Sequence, residues 1–372
     1  MKVLYLGHIK EGGGWAEAAT NNIRAMDEAG IDVAYRDIKL TASAPPVHPK
    51  VLELEKKSLE GCDYCIQHVL PHHMVGTDNF KKNIGFVELE SSSIEYLGWL
   101  EYLMQMDEVW VANNDLQESL TNDGLPSVKT VNHTHDIDKY TTPYKELKIP
   151  QAEGTFKFYF IGDFNDRKNL AAIVRCFHSE FDISEPVSLV IKTNKFGHNE
   201  GQVTALVNQM LTEVKGPLRM YPDIAMYKKD IVITGNIPEE NIYALHQYCD
   251  CFMGPSHGEA WSLPAFEAMA FGNTPICTHF GGPKDFIDAY NTDTGSLIPC
   301  VETVCDSKDS AFPDMFTARE CWMTPSEAAI KKQMRYYFEN QDPKKYKIAG
   351  LTRAKDFSYP VIAEKIKEAL VE

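Results

Sequence analysis

Two carboxylates, Glu259 and Glu267, stand with seven residues between them in the run GPSHGEAWSLPAFEAMAFGNTP, residues 254–275. Ser262 is a strong N-cap type, and Leu263 and Pro264 suit a first helical turn, where proline gives up an N–H that has no partner anyway. Strong helix formers run from Ala265 to Phe271, and Gly272 is a C-cap residue. The pattern predicts Glu259 in the loop before a helix and Glu267 just over a turn inside it. Between them, near Trp261, Ser262 and Leu263, lie the unpaired N–H groups of a helix start, an anion site. Two acceptors flanking an anion cradle suit a ligand with hydroxyls at both ends and phosphate in the middle. A nucleotide sugar has that shape. An amphipathic helix with one exposed Glu explains Glu267 but not Gly258, Glu259 and Pro264 together.

A second chemical cluster is GDFNDRKN, residues 162–169, which follows an apolar strand. Arg167 and Lys168 there precede a helical run, and cations at a helix start oppose the helix dipole. A ligand that carries phosphate would reverse that penalty through charge-assisted hydrogen bonds. Near the N-terminus, Gly12, Gly13 and Gly14 form a turn between a strand and a helix. That turn serves equally as a tight corner or as backbone exposed to a phosphate. Neither sheet opens with the G-x-G-x-x-G fingerprint, which disfavours a dinucleotide oxidoreductase. Gly235, in VITGNIPEENI, ends a further strand, and Lys192 ends VSLVIKT.

Metal binding is not expected. His133, His135, Asp136 and Asp138 alternate in VNHTHDIDKY, but three zinc ligands in one extended run would be unusual. His72-His73 and the single Cys62-x-x-Cys65 lack a second pair, and Asn291-x-Asp293 falls in an expected surface loop.

The elements that must position these residues alternate. Strands are expected at residues 2–7, 32–35, 64–69, 84–89, 108–112 and 128–132, with helices between several of them and a helix over Trp15–Ala29. The segment from Tyr144 to about Gly154 is polar and holds Pro150, as a linker would. A second alternation follows: strands at 157–161, 187–192, 231–234, 250–254 and 275–278, helices at 169–181, 201–214 and 239–247, and a turn at Gly281-Gly282. Later helices are expected over 326–338 and 360–371. Apolar, β-rich strands alternating with helices mean parallel sheets covered on both faces. The expected domains are residues 1–150, residues 151–355, and a C-terminal helix over 356–372 returning to the first domain.

The Glu-x7-Glu run resembles the signature of retaining glycosyltransferases of GT-B fold, in the large family four. Its pattern is matched at Gly258, Glu259, Leu263, Pro264, Glu267, Ala268, Met269, Ala270 and Gly272. Ala260 and Ser262 stand where the family has glycines, and Pro275 comes one residue late. The block IGFVELESSSIEYLGWLEYLMQMDEVWVANN, VNHTHDIDKY and the Lys168 position are also similar to family motifs, although Asp163 occupies the usual arginine position. The resemblance implies two Rossmann-like parallel-sheet domains facing across a cleft, the first on the acceptor side and the second holding the donor. It implies Glu267 on ribose hydroxyls, Glu259 on hydroxyls of the transferred sugar, and Lys168 with Arg167 on the diphosphate. Glu90, at the mouth of a strand, would work at the anomeric carbon, with Glu88 the weaker candidate for that role. Gly13, Gly14 and Gly235 would approach the donor. The implied activity is transfer of a hexose from a GDP- or UDP-linked sugar to a glycan or small-molecule acceptor, without metal or other cofactor. A GT-B epimerase or hydrolase and a non-catalytic nucleotide-sugar-binding protein are the alternatives.

Size and charge bound this reading. The 372 residues suit two or three domains, and 44% hydrophobic residues supply their cores. Formal net charge is −16, from 53 acidic and 37 basic residues, which argues against nonspecific binding to nucleic acid or anionic membrane. No stretch reaches the length of a membrane span, and the apolar run at the N-terminus is too short for a signal peptide. Nine cysteines without paired spacing are expected to be reduced thiols of a cytoplasmic protein.

Overall fold

The computed structural model describes residues 1–40, 46–306 and 318–371. The chain forms two units, Met1–Lys139 with Ala354–Glu372, and Tyr140–Arg353. The N-terminal unit runs β1 (Lys2–Gly7), α1 (Gly13–Glu28), β2 (Asp32–Asp37), α2 (Pro49–Leu54), β3 (Tyr64–His68), β4 (Lys82–Val87), α3 (Leu100–Leu103), β5 (Glu108–Val111), α4 (Asn114–Asn122) and β6 (Val128–Thr130). Its six strands are parallel in the order β2-β1-β3-β4-β5-β6.

The C-terminal unit runs β7 (Phe156–Asp163), α5 (Leu170–Glu180), β8 (Val187–Asn194), α6 (Glu200–Lys215), β9 (Ile231–Ile233), α7 (Glu239–Tyr248), β10 (Cys251–Gly254), α8 (Leu263–Phe271), β11 (Ile276–Thr278), α9 (Pro283–Phe286) and β12 (Ser296–Ile298). Six parallel strands lie in the order β12-β11-β10-β7-β8-β9. An antiparallel pair, β13 (Cys300–Val304) with β14 (Cys321–Pro325), and helices α10 (Glu327–Glu339) and α11 (Pro343–Ala354) follow. The last helix, α12 (Tyr359–Val371), belongs to the N-terminal unit. It packs on α1, where Ala25, Tyr359 and Ala363 share a small core and Tyr359 donates to Asn21 Oδ1 at 2.7 Å.

Burial along the strands explains the near-continuous apolar runs. In β8 every residue but the last is buried, because helices cover both faces of a parallel sheet. On one face Phe158, Leu189 and Ile191 meet Ile173 and Phe177 of α5 and Val207 of α6. Each such side chain contributes about 1.5–3 kcal/mol when fully buried.

Both sheets contain a reversal of strand order. In the N-terminal unit the chain leaves β1 for β2 on one side and returns to β3 on the other. In the C-terminal unit it leaves β7 for β8 and β9, then returns to β10 beside β7. At such a reversal the connections diverge and leave a crevice outside the carboxyl ends of the two strands, the usual ligand position in open α/β sheets.

Candidate functional site

Arg167, Lys168 and Glu259 meet at the reversal of the C-terminal unit, on the loops that leave β7 and β10. Asn165 caps the turn over Asp166–Lys168 by accepting from the Lys168 N–H at 3.0 Å. Three bonds join the two loops: Asn169 Nδ2 to the Pro255 carbonyl at 3.0 Å, His257 N–H to the Arg167 carbonyl at 2.8 Å, and Arg167 Nη1 to the Gly258 carbonyl at 2.7 Å. Lys168 Nζ then donates to Glu259 Oε1 at 2.7 Å, and Arg167 Nη1 lies 3.3 Å from Glu259 Oε2. Burial opposes ionisation of Glu259, but the charges of Lys168 and Arg167 outweigh it and hold the carboxyl below its ordinary value. Two cations thus face one carboxylate across the two loops.

The loop carrying Glu259 is fixed from behind by Gly281 and Gly282. A Cβ on Gly281 would lie 2.2 Å from the Glu259 carbonyl, one on Gly282 2.4 Å from Trp261 Cα, and Gly281 has φ +73°. Only glycine admits that approach. The Gly282 N–H donates to the Glu259 carbonyl at 3.1 Å.

The helix begins and ends where the spacing predicts, over Leu263–Phe271 with Gly272 at its C-cap, but Ser262 does not cap it. Its backbone is left-handed, φ 73° and ψ 70°, and its hydroxyl makes no cap bond. An N-cap needs an extended backbone to turn its side chain back on the first turn. The first turn of α8 therefore has no side-chain cap, which suits an anion. The conformation also explains why glycine is usual at this position in the pattern Ser262 departs from. Trp261 is buried against Phe266 and Phe286, and Glu267 is buried on α8 with Oε2 3.3 Å from His246 Nε2.

Other expected residues lie elsewhere. Gly235 follows β9, two strands from β7; its φ is +84°, and Asn194 beside it donates to Asn236 Oδ1 at 3.1 Å. Lys192 is buried at the end of β8 and donates to Asn194 Oδ1 at 3.3 Å; burial lowers its pKa, with Asp163 opposing. Gly13, Gly14 and Glu90 are in the N-terminal unit. Gly13 opens α1 with φ +76° and nothing within 4 Å of where a Cβ would be. Glu90 is half-buried beyond the end of β4.

Glu88 has a different setting. Its Oε1 receives His68 Nε2 at 2.9 Å and His133 Nε2 at 2.7 Å, all three groups being buried. Asn22 Nδ2 donates to Tyr5 Oη at 3.4 Å, and Tyr5 Oη lies 2.7 Å from His68 Nδ1. Tyr5 thus gives its hydrogen to Nδ1, and the His68 proton sits on Nε2, facing Glu88. Burial opposes the Glu88 charge, but the two histidines overcome it and its pKa falls well below the carboxylate range; burial keeps His68 neutral. This is the convergent set of metal-ligating types among the described residues. Its distances are those of hydrogen bonds, both nitrogens reach one oxygen, and a proton holds the lone-pair position on His68 that a metal would need. Sequence reasoning placed His133 beside His135, Asp136 and Asp138. Instead His133 turns to Glu88, just beyond β4, and stacks beside His68 of β3, Asp136 pairs with Arg24 at 3.2 Å, and the His135 N–H bonds the Phe357 carbonyl at 2.8 Å. The signal for this cluster was a histidine at the end of β3 and an acidic residue just beyond β4, joined only by strand order.

Comparison with known proteins shows the fold and one matching segment. Residues 145–306 match the family described as Glycosyl transferases group 1. HepE from Anabaena, solved with UDP and with UDP-glucose, is similar over the whole of both chains in the UDP complex, with 13% identity and a TM-score of 0.63. Sucrose-phosphate synthase from Thermosynechococcus elongatus is 15% identical with a TM-score of 0.63, over 100% of this chain and 98% of that one. A glycosyltransferase from Rickettsia africae is 12% identical with a TM-score of 0.63, over 99% and 97%. No curated protein matches the chain. The fold is GT-B, two Rossmann-like units, and the matched family segment includes Lys168, Glu259 and Glu267. No helix among the described residues is long and apolar enough to cross a membrane.

Proposed function

We propose that this chain is a retaining glycosyltransferase that moves a hexose from a nucleoside diphosphate sugar to an acceptor hydroxyl, without a divalent metal and in the cytoplasm. The observation that carries the reading is the Lys168–Glu259–Arg167 cluster beside the uncapped start of α8, at the reversal between β7 and β10. As the glycosidic bond breaks, charge grows on the departing phosphate oxygen while the sugar becomes oxocarbenium-like. Lys168, Arg167 and the first turn of α8 stabilise that oxygen. An arriving diphosphate competes with Glu259 for the two cations, which turns the carboxylate toward hydroxyls of the transferred sugar. Glu267 takes the ribose diol. Gly13 and Gly14 open α1 to the donor, Gly235 borders the base, and Glu90 orients reactants at the anomeric carbon. Uridine is the first base to test, because HepE holds UDP-glucose.

The experiment incubates the protein with UDP- and GDP-linked hexoses, with and without sugar acceptors and with a chelator. A new glycoside that keeps the donor's anomeric configuration supports the reading. Hydrolysis or epimerisation alone, or no turnover with any donor, overturns it. Activity lost to the chelator and restored by manganese overturns the metal-free part. Glu90→Gln should lower kcat at unchanged donor affinity, and full turnover would remove Glu90 from the chemistry.

A further inference from the structure

Behind Glu267 lies a chain of side chains whose proton positions can be worked out in order. Asn273 Nδ2 is 2.7 Å from the main-chain carbonyl of His246, which can only accept, so the atom there is the amide nitrogen. The same nitrogen donates to Tyr159 Oη at 2.7 Å. The phenol oxygen already accepts, and its hydrogen goes to the ring nitrogen 2.6 Å away, Nδ1 of His246. The opposite arrangement would leave a buried phenol hydrogen without an acceptor. The His246 proton is therefore on Nε2.

His246 is fully buried, and burial lowers its pKa to about 3, so the ring is neutral. Phe271 stacks on it with centroids 5.5 Å apart and planes 9° apart, which fixes its direction. The Nε2–H makes no hydrogen bond in the structure, and its nearby carboxylate oxygen is Glu267 Oε2 at 3.3 Å. A buried donor left short of its bond carries a desolvation penalty that a small turn of the carboxylate removes.

We infer that His246 is a positioning residue: its Nε2–H, held in one tautomer by Tyr159 and Asn273, sets the plane of the Glu267 carboxylate for a two-point grip on the ribose diol of the donor. The inference rests on the reading that Glu267 binds that ribose. A neutral donor fixes the carboxylate without cancelling the charge that the diol's hydroxyls need.

The test titrates UDP by calorimetry into wild type, Glu267→Ala, His246→Leu, His246→Gln and the double variant His246→Leu/Glu267→Ala. His246→Leu should bind UDP about threefold to tenfold more weakly, the net worth of one hydrogen bond. It should raise donor KM and leave saturated kcat nearly unchanged. His246→Gln, whose amide can donate from about the same place, should restore most of the affinity, and His246→Leu should add nothing once Glu267 is alanine. Wild-type affinity in His246→Leu beside a weakened Glu267→Ala overturns the inference, as does a glutamine variant no better than leucine. UDP binding unchanged in Glu267→Ala instead overturns the ribose reading, and the inference with it. Should the leucine variant not fold, nitrogen NMR of histidine-labelled wild type decides. A proton on Nε2 with Nδ1 bare, scrambled in Tyr159→Phe, supports the inference; a proton on Nδ1 in wild type overturns it.

Discussion

The carboxyl ends of the two six-stranded sheets gather opposite chemistry. In the C-terminal unit, on the loops after β7 and β10, two cations share one carboxylate. In the N-terminal unit, at the end of β3 and just beyond β4 and β6, one carboxylate is shared by two imidazoles, stacked beside Trp15 and Phe86. Under the proposed function the first arrangement would offer its cations to an arriving diphosphate. The second is a clamp, in which two buried donors on one oxygen tie the ends of neighbouring strands together. Opposite donor and acceptor balances thus suit the two sheet ends to different work.

The largest expected effect breaks the charged side of this contrast. Lys168→Ala removes the ammonium from the departing phosphate and leaves Glu259 with Arg167 alone, so kcat should fall about a hundredfold to a thousandfold. Steady-state rates at saturating donor check it, and a loss under threefold would remove Lys168 from the chemistry. Glu259→Ala comes next. In the proposed role its contact with the sugar would strengthen in the transition state, so kcat should fall about tenfold to a hundredfold. UDP itself should bind as well as before or more tightly, because the carboxylate that competes for Lys168 and Arg167 is gone. Calorimetry showing weaker UDP binding would contradict that competition.

The clamp predicts a pH effect rather than a kinetic one. Glu88 has a folded pKa below its ordinary value of 4.5, so the unfolded chain binds the proton more readily. The stability it supplies is present above about pH 4.5 and is lost as pH falls below it. Glu88→Gln should flatten that acid limb in a urea-midpoint series from neutral pH downward, and Glu88→Leu should cost about 1–3 kcal/mol at pH 7 by removing the acceptor that His68 and His133 share. An unchanged limb would place the acid sensitivity elsewhere, with Glu259 next. The smallest effect is at Ser262. A left-handed residue with a Cβ costs about 1–2 kcal/mol, and glycine's extra freedom in the unfolded chain offsets about half. Ser262→Gly should raise stability by about 0.5–1 kcal/mol, read from the same midpoints.

The sequence by itself determined what local rules govern. Strand and helix alternation came from apolar periodicity, and α8 from Pro264, its helix formers and Gly272. Lys168 and Glu259 were each assigned to a donor, one from its place at a helix start and the other from the Glu-x7-Glu run, but their direct pairing came only with the fold. Element ends moved by a residue or two, and the antiparallel pair β13–β14 and helix α11 carried too weak a pattern to be read. Tertiary structure decided the rest. Ser262 looked like a cap because residue type reports preference, whereas its backbone is left-handed in a loop whose Glu259 and Trp261 pack against Gly281 and Gly282 after β11. Glu88 and Glu90 stand two residues apart in sequence, but strand order turned Glu88 to His68 and His133 and left Glu90 half-buried. His246 gained a single tautomer only because Tyr159 and Asn273, distant in sequence, converge on its ring. Proton positions and charge balance depend on which side chains meet across a sheet, and no spacing along one strand encodes that.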